Sequence, residues 1–73
     1  MIQLEELQQD QKLTVDLTSV RDRLPKRVFR LLQDNSLAKW KGGYKVVDGG
    51  IALVLELSDG STCWFLEEEL SVA

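Results

Sequence analysis

The 73-residue sequence predicts a mainly β fold, a small antiparallel barrel of four to five strands with one short helix or helical loop. Short runs of alternating apolar and polar residues give the strands, and turns such as "DGG" and "SDGS" separate them. A chain of this length supports one core, and closing the sheet removes the exposed edges that pair with other chains. We expect one domain over residues 12–73, preceded by an N-terminal extension over residues 1–11.

The first half of the chain predicts a strand and then a helix. Residues 12–17, "KLTVDL", alternate apolar and polar side chains as a half-buried strand does. Pro25 suits the first turn of a helix, and Val28 and Leu32 then follow four residues apart. A short helix at about 25–33 is predicted, although a loop with one helical turn also fits.

The second half predicts three further strand segments. "LAKWK" (37–41) reaches Gly42 and Gly43, after which "YKVV" resumes the strand past a kink or bulge. "IALVLEL" (51–57) is the most regular strand, and Asp-Gly then turns the chain into the return strand "TCWF" (62–65). A single helical turn is predicted in "LEEEL" near the C-terminus.

The aromatic pair Trp64 and Phe65 stands directly before three glutamates. Neighbouring residues of a strand point to opposite faces, so only one of the two rings can fill the core. We expect the other ring to lie under the "LEEEL" turn or at the surface, where the glutamates keep it soluble.

The charges are unevenly distributed around a net charge of −3. Residues 21–45 hold eight basic residues against two acidic ones, and residues 46–73 hold six acidic residues and no basic one. Generic nucleic-acid binding usually needs a basic domain, so the bipolar pattern argues against it. The basic segment predicts a patch for an acidic protein or anionic headgroups.

The sequence offers little material for catalysis. It has no histidine, and Cys63 is predicted to be a buried, inert thiol. The run "EEE" reads as a solvated face, and neither glycine pair forms a phosphate-binding loop. We therefore predict no enzyme activity, cofactor, metal or small-molecule substrate.

The opening residues lack the pattern of a signal peptide, and the longest apolar run has five residues, Ile51 to Leu55. One cysteine cannot form an internal disulfide, which favours a reducing compartment. The sequence therefore predicts a cytoplasmic protein.

The candidate partner-binding residues combine the basic segment with two aromatic residues. They are Arg21, Arg23, Lys26, Arg27, Arg30, Trp40 and Tyr44. Guanidinium groups favour carboxylate or phosphate partners, but the same residues also fit a solvated helix face. Trp40, between two lysines, fits either the core or an interface anchor.

Single-stranded nucleic acid is an alternative partner. Lys39, Trp40, Lys41 and Tyr44 interleave basic and aromatic side chains, which is typical of surfaces that stack bases.

Three stretches together resemble the PetP-like proteins, small subunits associated with the cytochrome b6f complex in cyanobacteria and red algal plastids. They are "KLTV" followed by "VRDRLP", then "VVDGGIALVLELSDGS", and finally "TCWFLEEEL". The resemblance covers roughly residues 11–70. The chain departs from the family in "LLQDNSLAKWKGG", where glycines usually follow the Arg-Asp-Arg segment, and in about ten extra N-terminal residues.

This resemblance implies an SH3-like barrel without catalytic activity. It also implies peripheral attachment at the cytoplasmic side of the thylakoid membrane, through a larger complex whose electron flow the subunit tunes. A small barrel subunit of another photosynthetic complex is an alternative host assignment.

Overall fold

Five antiparallel strands form one sheet in the computed structural model, which describes residue 5 and residues 7–73. The strands are β1 (Gln11–Val15), β2 (Leu37–Val47), β3 (Gly50–Glu56), β4 (Thr62–Leu66) and β5 (Leu70–Val72). Their order in the sheet is β4-β3-β2-β1-β5, and a 3-10 turn at Glu67–Glu69 joins the two terminal strands along the chain. The predicted mainly β class is confirmed.

Two short helices lie between β1 and β2. Helix α1 spans Leu17–Val20, and helix α2 spans Lys26–Asp34. The prediction of a helix at about 25–33 is confirmed to within one residue at each end. Helix α1 replaces the predicted last residue of the first strand, because the Asp16 carboxylate accepts the Thr18 N–H at 3.0 Å and caps a helical turn.

Strand β2 runs through both glycines instead of stopping at them. The pairing with β3 shifts between Trp40 and Gly43, which marks a bulge at Gly42. Gly42 has φ +97°, a conformation that side-chain-bearing residues rarely adopt. The bulge bends the strand, so that residues 37–40 pair with β1 and residues 39–47 pair with β3 on either side of the bulge.

Both predicted turns form hairpins. Asp48 and Gly49, each at positive φ, connect the paired residues Val47 and Gly50. In the β3–β4 turn, Asp59 accepts hydrogen bonds from the Ser61 hydroxyl at 2.6 Å and the Ser61 N–H at 3.0 Å. These bonds lower the pKa of the Asp59 carboxyl, so the turn is favoured with Asp59 ionised.

The core lies between the sheet and the two helices. Leu53 and Phe65, which are cross-strand partners, are both fully buried. Trp64 points to the opposite face and is half buried. The aromatic pair thus divides as the sequence predicts, with one ring in the core and the other outside it.

Residues 7–10 contact the folded domain before β1 begins at Gln11. Leu7 packs against the core, and the Asp10 N–H donates to the Trp40 carbonyl at 2.7 Å. The predicted extension over residues 1–11 lies partly outside the described residues, so its boundary stays a prediction. No helix among the described residues is both long and apolar enough to cross a bilayer.

Candidate partner-binding surface

The amphipathic pattern of α2 decides which of its side chains reach solvent. Val28 and Leu32, four residues apart, are buried against the core. Lys26 and Arg30, also four apart, are exposed on the outer side. Arg21, which follows α1, lies on the same surface, where it lines a groove of about 300 Å³ together with Lys26 and Arg30.

Phe29 supplies an aromatic ring at the centre of this basic surface. It is half buried, packs against the core and lines the grooves beside both helices. We call Arg21, Lys26, Phe29 and Arg30 the helical basic face. The sequence analysis did not select Phe29, although its position three residues before buried Leu32 is a signal for partial burial.

The five predicted arginines and lysines of segment 21–30 do not form one cluster. Arg21, Lys26 and Arg30 line one groove, and Arg27 lines a neighbouring groove with Lys26 and Arg30. Arg27 also reaches toward the β3–β4 turn, with 3.4 Å between its Nη1 and Asp59 Oδ2. That pair is exposed, so it constrains Arg27 only weakly. Arg23 lies at a different surface altogether.

Arg23 is held by a long-range ion pair. Its guanidinium donates to the carboxylate of Glu69 through Nη2 and through Nε, the latter at 3.0 Å. The Glu69 carboxylate, 5% exposed, also accepts the Leu66 N–H at 2.8 Å. The guanidinium carbon stands 4.2 Å from the centre of the Trp64 ring. Arg23 is therefore engaged by residues of its own chain, although 26% of its side chain stays exposed.

Trp40 lies in the core, with 7% of its surface exposed. Its Nε1–H donates to the Gly43 carbonyl at 3.0 Å, and its ring meets Tyr44 edge to face at 5.3 Å. Of the two aromatic candidates, only Tyr44 offers its ring to solvent, with 53% exposed.

The four residues considered for nucleic-acid stacking do not form a platform of two rings, since Trp40 is buried. The Lys41 Nζ donates to Asp10 at 2.7 Å, but both side chains are about half exposed, so this pair constrains Lys41 only weakly. This hydrogen bond lowers the pKa of the Asp10 carboxyl. Tyr44 is therefore the one largely exposed ring among the four residues, with Lys39 and Lys41 on the same strand.

The Cys63 thiol is half buried on β4 and packs against the core. Burial raises its pKa, and the nearby Arg23 offsets only part of that rise. The thiolate, which is the nucleophile, is therefore less populated than in an exposed cysteine.

We expect Cys63 to react with iodoacetamide at pH 8 about tenfold more slowly in the native protein than in the urea-unfolded chain. The midpoint of the native pH–rate profile should lie above that of the unfolded chain, because the folded pKa is raised. Mass spectrometry of the alkylated protein measures both rates. Equal rates would show an accessible thiol of ordinary reactivity, and a lower native midpoint would show an activated thiol.

The residues that the structure describes hold no group of three or more His, Cys, Asp or Glu side chains placed to bind a metal ion. The grooves around the helical basic face are shallow and open, which suits contact with a protein surface.

Comparison with known proteins gives one match. The sequence model of a family described as "Cytochrome b6f, subunit Tsr0524-like" matches residues 11–71, which is most of the chain. Searches of curated proteins and of solved structures found no match.

Proposed function

The chain belongs to the Tsr0524-like family of cytochrome b6f subunits, the PetP family, and we propose that it is a non-catalytic, peripheral subunit that regulates electron flow through that complex. In this proposal it attaches at the cytoplasmic side of the thylakoid membrane. Attachment uses the helical basic face, and the partner surface is acidic.

One observation carries this assignment of the docking surface. Arg21, Lys26 and Arg30 surround Phe29, and among the described residues none of the three has a carboxylate within 4.0 Å. Unpaired guanidinium groups are suited to bidentate bonds with carboxylates. An aromatic ring among them supplies the apolar contact that anchors an interface.

Two of the other candidate residues, Arg23 and Trp40, make contacts within the chain and are therefore less suited to bind a partner. Arg23 is paired with Glu69, and Trp40 is in the core, so neither side chain is available without local rearrangement. Arg27 is exposed and lines a groove with Lys26 and Arg30, so it extends the proposed contact area, whereas Tyr44 is exposed on β2. A non-catalytic role agrees with a sequence that lacks histidine and has one thiol of raised pKa.

We also propose that the five-stranded sheet is an SH3-like barrel. The bulged β2 contributes to both halves of the sheet, and β1 pairs with β2 on one side and β5 on the other. The 3-10 turn brings the chain from β4 at one end of the strand order to β5 at the other.

Charge reversal tests the docking surface. We expect Arg21→Glu with Arg30→Glu to weaken binding to isolated cytochrome b6f complex by at least about tenfold, or about 1.4 kcal/mol, because attraction becomes repulsion. Surface plasmon resonance with the immobilised complex measures the affinity. Circular dichroism checks that the variant remains folded.

The matched control is Lys12→Glu with Lys39→Glu. It changes the net charge by the same amount on two cross-strand neighbours outside the helical basic face. We expect its affinity to stay within about twofold of the parent. Undiminished binding by the Arg21/Arg30 variant would mean that the helical basic face is only a solvated surface.

A further inference from the structure

A second groove, of about 440 Å³, opens beside β4, the β2–β3 turn and the 3-10 turn. Its apolar lining consists of Val47, Ile51, Trp64 and Leu66. Ile51 is 48% exposed, and the other three side chains are partly exposed. This groove shares no lining residue with those around the helical basic face.

The Trp64 ring is fixed in place before any partner arrives. The Arg23 guanidinium lies 4.2 Å from its centre and is itself held by Glu69 through two hydrogen bonds. A ring held in this way loses little freedom when it contacts a partner, which lowers the entropic cost of binding. The groove is thus a preorganised aromatic site.

The rim of the groove is acidic. Asp48, Glu67 and Glu68 line it, and among the described residues none of these carboxylates has a cation within 4.0 Å. Arg23 also lines the groove, but Glu69 neutralises it. Lys45 stands nearby, with its Nζ 5.9 Å from the Trp64 ring centre, but does not line the groove.

We propose that this groove binds a segment of a second protein in which an apolar or aromatic side chain is flanked by Lys or Arg. The apolar side chain packs on Trp64 and Leu66, and the flanking cations pair with the carboxylates of the rim. Together with the helical basic face, the groove gives the chain two separate docking surfaces of opposite charge, which allow it to bridge two partners.

Peptide binding to the isolated full-length chain tests this proposal without involving cytochrome b6f. One fluorescein-labelled peptide carries Leu-Trp between two Lys-Arg pairs, and a matched peptide carries Glu-Asp pairs instead. We expect fluorescence anisotropy to show the basic peptide binding at least about tenfold more tightly. Its affinity should fall as NaCl rises from about 50 mM to about 300 mM, as screening weakens the rim contacts.

Two double variants and one single variant locate the binding. Glu67→Lys with Glu68→Lys should reduce affinity for the basic peptide by at least about tenfold. Asp22→Lys with Asp34→Lys makes the same change of net charge outside the groove and should leave affinity within about twofold. Ile51→Ser, which alters the lining without changing charge, should also weaken binding of the basic peptide.

Three results would overturn the proposal. Equal affinity for the two peptides would remove the role of the acidic rim. An unchanged affinity in the Glu67/Glu68 variant would place the basic peptide elsewhere. Self-association that this variant abolishes, without binding of the basic peptide, would assign the groove to a second copy of the chain.

Discussion

Replacing Arg23 with Met is expected to lower the free energy of unfolding by about 3 kcal/mol. The substitution leaves the carboxylate of Glu69, 5% exposed, buried without its cation. It also removes the guanidinium that covers Trp64. Urea denaturation followed by circular dichroism measures the loss, and the thermal midpoint should fall by roughly 15 °C.

The control is the double variant Arg23→Met with Glu69→Gln. It removes both charges, while the amide oxygen of Gln can still accept the Leu66 N–H that Glu69 accepts at 2.8 Å. We expect it to recover at least half of the lost stability, because no unpaired charge stays buried. A cost below about 1 kcal/mol for Arg23→Met alone would show that the pair behaves as an exposed one.

Trp40→Ala is expected to cost about 3–5 kcal/mol, the range for deleting a large aromatic side chain from a core. Trp40 is 7% exposed and pairs across the sheet with fully buried Leu55. A domain of this size has a free energy of unfolding on the order of 5 kcal/mol, so the variant should be close to unfolding at 25 °C. Calorimetry and urea denaturation measure the effect.

Two milder variants separate packing from interface contact. Trp40→Phe keeps an aromatic ring but loses the Nε1–H bond to Gly43, so we expect a loss of about 1 kcal/mol. Tyr44→Ala removes an exposed ring that meets Trp40 at its edge, and should also cost about 1 kcal/mol. A stable Trp40→Ala protein that fails to bind its partner would instead identify Trp40 as an interface anchor.

The sequence was sufficient for the features that depend on local interactions. Asp48-Gly49 and Asp59-Gly60 adopt backbone conformations that these residues favour, so both hairpins were predictable. The spacing of Val28 and Leu32 predicted α2, and the order of short motifs pointed to the family that the comparison confirmed. Helix α1 was missed because an Asp16 cap over four residues leaves little periodic signal.

The candidate site was only partly predictable. Arg21 and Arg23 are two residues apart, and the sequence predicts that they belong to one basic cluster. In the structure Arg21 lies on the helical basic face, whereas Arg23 lines the second groove. Arg23 is separated from the helical basic face because it pairs with Glu69, which lies 46 positions later in the chain. The acidic rim likewise combines the β2–β3 turn with the 3-10 turn, which are distant in sequence.

By itself, then, the sequence determined β1 to β4, the turns, α2 and the uneven charge, since each follows from propensity or from neighbours within a few positions. Strand β5 (Leu70–Val72) was not predicted, because three residues carry little periodic signal and their pairing with β1 joins distant parts of the chain. The tertiary structure alone decided which charges are neutralised and which aromatic rings reach solvent. The sequence could not decide these features, because burial and ion pairing depend on groups that only the pairing of distant strands brings together.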